Sequence, residues 1–267
     1  MSKEYKKIEY RGYTFPCEIT KSGKPGKLEK DLEKVMRILD KESLTSADRM
    51  QLLSVYNVAY HESGKIEGIF SLDSTATNCS FCVKMRKFAA DHPELGIICS
   101  ECYDYKQEQF KINSLARHTL NLLIMESVDF SIEELAILES GLFVRVNSSG
   151  DSSNDTYARN MIRYAYAHKE SHIAIWTKNT ITYIRACDLL GKPENVVLIQ
   201  SSMRIDAAAI PAKYFDYAFT VYFDENKVQA AIANGAAECN GKKCKACGYK
   251  CYRKAWNGSN IAELLRK

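Results

Sequence analysis

The spacing of apolar residues changes along this chain, and the changes mark its parts. Residues 8–15, Ile8-Glu9-Tyr10-Arg11-Gly12-Tyr13-Thr14-Phe15, alternate around a glycine, which predicts a small hairpin. From Leu28 the steps become three and four. Leu28, Leu32, Val35, Met36 and Leu39 then form one face of an amphipathic helix. A second helix is predicted from Ser46, taken as its cap, to about His61. Arg49 rather than Glu stands at its third position, so the capping box is incomplete. A short apolar run over 68–72 leads into a polar turn, 73–78. Ile112, Leu115, Ala116, Leu120, Leu123 and Ile124 give one apolar face to a long helix predicted over about 100–125. Ser131, with Glu133 and Glu134 in the first turn, opens a short helix.

Beyond residue 140 the rhythm is regular. Apolar strands are predicted over 142–146, 172–176, 196–199 and 217–223, and helices over 156–168, 181–190 and 227–233. With the run 68–72, at least five strands alternate with helices, the pattern of a parallel sheet with crossover helices. Several strands are apolar throughout, as expected when both faces are covered. The expected fold is α/β. A parallel, partial-barrel-like (β/α) sheet occupies 63–235, behind an N-terminal helical and hairpin subdomain over 1–62. A Cys-rich metal-binding knuckle follows over 236–267.

In such sheets ligands sit beyond the carboxyl ends of the strands. The residues just after the strands are therefore the candidates for a small-molecule ligand: Ser149, Gly150 and Asp151, then Lys178, then Gln200 and Arg204. Gly150 would let a ligand approach the backbone closely. The helix that follows would favour an anionic group. Asp151, read as a surface carboxylate, would fix an amine or hydroxyl. The plainer reading of 147–155 is a loop in which Ser153 or Asn154 caps the next helix.

Composition narrows the class. Hydrophobic residues make up 46% and charged residues 26% of the 267, the balance of a globular protein. The net charge of +4 is too mild to argue for nucleic acid by itself. The first residues carry no apolar leader, and no apolar run nears the roughly eighteen residues of a membrane span. No membrane partner is expected, and the cytoplasm is the expected location. Thiols stay reduced there, so ten cysteines point to metal rather than to disulfides.

Eight of the ten cysteines fall in two groups. Cys79-x2-Cys82 and Cys99-x2-Cys102, with sixteen residues between the pairs, match the spacing of a four-thiolate site. Cys239-x4-Cys244-x2-Cys247-x3-Cys251 is tighter than a zinc ribbon and nearer the local runs that bind iron–sulfur clusters. The two groups could exchange ligands if the C-terminus folds back over the sheet. Lys242, Lys243, Lys245, Lys250, Arg253 and Lys254, with Tyr249, Tyr252 and Trp256, surround the second group. They would either grip nucleic acid or offset thiolate charge as a solvated surface. Cys17 and Cys187 stand alone and read as buried small hydrophobes. No HExxH, GxSxG, Walker or dinucleotide motif is present.

The order of these motifs resembles the gene product 88 family of phages and of phage-derived segments in bacterial genomes. The residues that carry it are Phe70-Ser71-Leu72 with Cys79, then Cys99 and Cys102-Tyr103, then Phe143-Val144-Arg145-Val146 with Ser149-Gly150-Asp151. Trp176-Thr177-Lys178 follows, and last Cys244, Cys247, Cys251 and Trp256. Two departures stand out: Ser80 replaces a proline, and the gap from Cys82 to Cys99 is long. The resemblance implies a layout similar to the radical-SAM partial barrel and keeps S-adenosylmethionine open as a cofactor, although the C-x3-C-x2-C triplet that holds a cluster for it is absent. Two readings compete. One is a metalloenzyme, with an iron–sulfur cluster slightly favoured over zinc, acting on a small ligand at the open end of the sheet. The other is a structural-zinc protein whose basic knuckle contacts nucleic acid or a host protein.

Overall fold

The computed structural model describes residues 4–20, 24–239, 241 and 243–264. The chain opens with an antiparallel hairpin, β1 (Tyr5–Tyr10) and β2 (Tyr13–Glu18), turned at Arg11-Gly12. Helices α1 (Lys27–Leu39) and α2 (Ser46–Leu53) follow. The capping box of α2 is complete and one residue earlier than the sequence suggests: Thr45 caps the helix and Asp48 closes the box. This helix also stops well short of His61. Asn121 holds both the N–H and the C=O of Asn57, so the backbone there is bonded to a side chain and leaves the helical ladder.

Two short strands come next, β3 (Ala59–Tyr60) and β4 (Phe70–Leu72). The gap between the first two cysteine pairs, read as a long insertion, is a helix, α3 (Ser80–Asp91). The long helix predicted over 100–125 is two helices, α4 (Tyr103–Glu108) and α5 (Ile112–Ser127), which pack nearly uninterrupted apolar residues only in the second. Then come α6 (Ile132–Leu135), β5 (Phe143–Val146), α7 (Asp155–Ala167), β6 (His172–Thr177), α8 (Thr180–Leu190), β7 (Val196–Ser201), β8 (Tyr217–Tyr222), α9 (Glu225–Ala233), β9 (Ala237–Glu238) and β10 (Asn260–Leu264).

The main sheet has eight strands in the order β3-β4-β5-β6-β7-β8-β10-β9. Only the β3–β4 pair is antiparallel. From β4 to β8 each new strand is added on the same side of the last, without reversal. Alternation then sorts the side chains. Val144, Val146, Ile173, Ile175 and Leu198 face α5, α7 and α8 and form the main core with them and with Phe15 and Cys17 of the hairpin. Ile69, Phe143, Ala174, Trp176, Val197, Ile199, Tyr217 and Ile261 face the other way. The C-terminal segment folds back over this second face, where Tyr252 is buried among them, before re-entering the sheet as β10 beside β8. Cys187, like Cys17, is buried in the main core.

Candidate ligand and metal site on the inner face of the sheet

The lower cysteine group lies on the side of the sheet away from its crossover helices. The upper group lies at the strand ends, where Cys79 is buried in the main core and Cys82 packs against it. The upper group is held by a buried polar frame at the carboxyl ends of β4, β5 and β6. Asp73 follows β4. Its Oδ1 accepts from the Ser148 N–H at 2.9 Å, the Ser149 N–H at 3.1 Å and the Ser148 hydroxyl, and its Oδ2 accepts from Ser71 Oγ at 2.6 Å. Ser71 Oγ lies 2.7 Å from His61 Nε2. Glu108, at the end of α4, accepts from Thr75 Oγ1 at 3.0 Å, the Thr77 N–H at 2.8 Å and the Ala76 N–H at 3.2 Å. Its Oε1 stands 3.6 Å from His118 Nδ1 on α5. Burial pushes the Glu108 carboxyl up, but His118 and the Thr77 and Thr75 donors outweigh it and hold it below its usual range.

The predicted ligand turn takes part in this frame. Gly150 has φ +74°, and a Cβ there would stand 2.2 Å from Ser74 Oγ and 2.7 Å from the Ser74 carbonyl carbon. The close approach that requires glycine is therefore between two protein backbones, not between protein and ligand. Asp151 is buried, with 3% exposure, which corrects its reading as a surface carboxylate. Its Oδ1 accepts from the Ser152 N–H at 2.7 Å and from Thr177 Oγ1, and its Oδ2 accepts from the Lys178 N–H at 2.7 Å. It ties β5 to β6. Ser149 Oγ donates to Glu108 at 3.4 Å, and Asn154 is the helix cap, accepting from the Tyr157 N–H at 2.9 Å. Gln200 Oε1 accepts from the Ala212 N–H at 2.9 Å and so closes the loop after β7. Arg204 is exposed and bridges to Ile97 in the loop that carries Cys99.

Lys178 remains a site residue. It is partly buried. Burial pulls its ammonium down, yet Cys99, Asp151, Cys82 and Cys102 face it and together hold it above its usual value. Cys79 sits beneath, its Sγ donating to the Asp151 carbonyl at 3.4 Å. Asp104, two residues after Cys102, is pushed up to about 6 by burial, against the opposing pull of Lys178 and Arg145.

The lower group faces the sheet. Cys239, Cys244, Cys247 and Cys251 line one cavity of about 310 Å3, together with Arg145, Trp176, Phe219, Tyr249, Tyr252 and Trp256. An N–H group points at one of the sulfurs: Trp256 Nε1 donates to Cys251 Sγ at 3.1 Å, while Cys247 Sγ donates to the Cys244 carbonyl at 3.2 Å. Burial raises the Cys239, Cys244 and Cys251 thiols, the last to about 12. All ten cysteines are free thiols. Among the described residues no three His, Cys, Asp or Glu side chains stand together as an ion would need them. So neither predicted group, 79/82/99/102 or 239/244/247/251, is drawn in to the distances of a closed single-ion site.

The sequence model of gene product 88 matches residues 41–260, more than four-fifths of the chain. The chain belongs to the gene product 88 family. No curated protein and no solved structure matches it. For this gene product 88 protein the family match spans both cysteine groups, β4 to β9 and the first residue of β10, and leaves out the N-terminal hairpin and α1.

The family member's knuckle turns Tyr249 and Tyr252 toward the sheet. Tyr249 stacks on Phe143 with ring centroids 4.0 Å apart, and Tyr252 meets Trp176 at 5.8 Å. Most of its basic residues have partners within the fold. Lys243 pairs with Glu67, and Lys254 with Asp216 at 3.4 Å; Lys250 lies over Trp256, and Arg253 over Phe143. Lys242 lies outside the described residues. No helix among the described residues is long and apolar enough to cross a membrane.

Sequence reasoning missed four residues of this gene product 88 site: Asp73, Asp104, Glu108 and Arg145. Arg145 had a visible signal, a lone charge inside an apolar strand, and Asp73 stands first in the polar turn after its strand. Asp104 and Glu108 lie within a stretch whose period reads as one long helix, and nothing local distinguishes them.

Proposed function

We propose that this protein is a cysteine-ligated metalloprotein that binds a small ligand on the inner face of its sheet. The observation that carries the proposal is the convergence of Cys239, Cys244, Cys247 and Cys251 on one cavity, with the Trp256 N–H aimed at the Cys251 sulfur. The Trp256 donor and nearby cations offset part of the penalty that burial puts on the thiolate, the form that ligates metal. The residues fit such a group by donor chemistry. A lone zinc would sit about 2.3 Å from each sulfur and use little of this cavity. A cavity of about 310 Å3 with sulfurs around its wall suits an iron–sulfur cluster better. The unreversed strand order from β4 to β8 supports a partial-barrel layout in which that face is the inside. Lys178, with Cys82, Cys99 and Cys102 around it, would mark the open end at which a small ligand enters. The iron–sulfur reading includes no S-adenosylmethionine, because the triplet that leaves one iron open is missing from the sequence.

The test is anaerobic purification followed by iron, acid-labile sulfide and zinc analysis and a visible spectrum. A brown protein absorbing near 400 nm, whose metal is lost in Cys247→Ser and Cys251→Ser, is the expected result. Stoichiometric zinc in a colourless protein would favour the structural-site reading. Fresh protein with neither metal would end the proposal.

A further inference from the structure

Arg145 sits at the centre of β5 on the inner face of the sheet, flanked by Val144 and Val146, whose side chains enter the main core. Its guanidinium rests on the Trp176 ring, with Cζ 4.2 Å from the centroid. Its Nε is buried and has no hydrogen-bond partner. Among the described residues no carboxylate stands within ion-pair distance of it. The two acids on the cavity wall do not serve it: Glu263 pairs with Lys65, and Glu238 is exposed. Arg145 lines the same cavity of about 310 Å3 as the lower cysteines, and Lys250, resting on Trp256 at 4.8 Å, lines it from the knuckle side.

An arginine held on a sheet face without an anion is costly, because the desolvated charge and its donors are left unmet. Proteins keep such a group where something else supplies the anion. The indole beneath fixes the guanidinium plane and leaves its edge free, and that edge presents parallel N–H donors to a planar or tetrahedral oxyanion. Lys250 adds a second cation at the far wall, and Phe219 and Tyr249 supply apolar walls for whatever carries the charge.

We propose that Arg145 is the anchor of an oxyanion subsite in this cavity, taking the phosphate or carboxylate group of a small organic molecule, with Trp176 as the platform that orients it. The subsite deepens the reading of the inner face as a ligand site, but it does not depend on which group the cysteines hold.

The experiment titrates the full-length protein with inorganic phosphate and, separately, malonate. It uses both metal-loaded and chelator-treated samples, follows calorimetry and Trp fluorescence, and measures metal content on each sample. Saturable binding of one anion is expected in both samples, and which anion binds identifies the chemistry. Arg145→Met should weaken it at least tenfold at unchanged metal content. Arg145→Lys, which keeps the charge and most of the packing but cannot fork, should weaken it by less, and it serves as the folded control if the Met variant is unstable. Anion binding in metal-free protein would uphold the subsite even if the metalloprotein reading failed. The inference is overturned if the wild type binds neither anion, or if Arg145→Met binds as the wild type does. It is equally overturned if Arg145→Met loses metal while its chelated form keeps full anion affinity, since the arginine would then only balance the thiolates.

Discussion

At the scale of single residues, Gly150 and Asp151 show how one short motif can carry structure where chemistry was expected. Both were legible as special: a glycine straight after a buried strand, and an acid straight after the glycine. Apart from the neighbouring Ser152, their partners were not legible, because Ser74 lies more than seventy residues upstream and Thr177 and Lys178 more than twenty downstream. Gly150→Ala would force a Cβ into the Ser74 backbone at a positive φ. It should cost about 2–4 kcal/mol in denaturant unfolding. Asp151→Asn keeps the shape but replaces one acceptor oxygen with a donor facing the donors of Thr177, Ser152 and Lys178. A loss of about 1–3 kcal/mol is expected. Were Asp151→Asn as stable as the wild type, the buried clamp between β5 and β6 would contribute nothing, and the reading of Asp151 as a ligand carboxylate would return.

At the scale of elements, the strands and helices beyond residue 140 follow from period alone, since each is a short apolar run with its own turn signals. The elements the sequence hid are held by tertiary contacts. β10, with its mixed Asn260-Ile261-Ala262-Glu263-Leu264, becomes a strand because it pairs with β8 along its whole length. α4 separates from α5 where its last residue, Glu108, turns to accept from the Thr75 hydroxyl and the Ala76 and Thr77 N–H groups. This junction titrates. Glu108 is held below its usual value of 4.5, so its contribution is present above pH 4.5 and is lost as the pH falls further. Burial alone would lower His118, but Glu108 and Asp73 hold it above its usual 6.5, so its contribution is complete below pH 6.5 and is lost as the pH rises. The pair should therefore stabilise most between about pH 4.5 and 6.5. In Glu108→Gln the acid limb of the stability profile should flatten and the protein should lose about 1–3 kcal/mol at pH 6. A profile with an unchanged acid limb would show that other carboxylates control it.

At the scale of the whole molecule, the C-terminal segment is the lid of the inner face. The described residues of 239–256 carry four cysteines and three aromatic residues over that face, and the chain then returns to the sheet between β8 and β9. On the metalloprotein reading proposed above, whatever holds the four thiols together would also hold the lid closed, so metal binding and lid closure would be one equilibrium. Without metal, Cys239, Cys244 and Cys251 are partly buried thiols whose pKa values lie above the ordinary range, Cys251 at about 12. Ligation must then release protons, and the sign follows: affinity falls as the pH falls. Chelation at pH 8 should lower the Tm and make residues 239–256 sensitive to protease and to amide exchange. Amides of β5 and β6 within the sheet, and of α7 and α8 packed on its opposite side, should remain protected. The gap in Tm between loaded and chelated protein should narrow from pH 8 to pH 6, because protons then compete for the thiolates. A gap independent of pH would mean that metal does not displace those protons. If chelation changed neither Tm nor exchange over 239–256, aromatic packing on Phe143 and Trp176 alone would hold the lid.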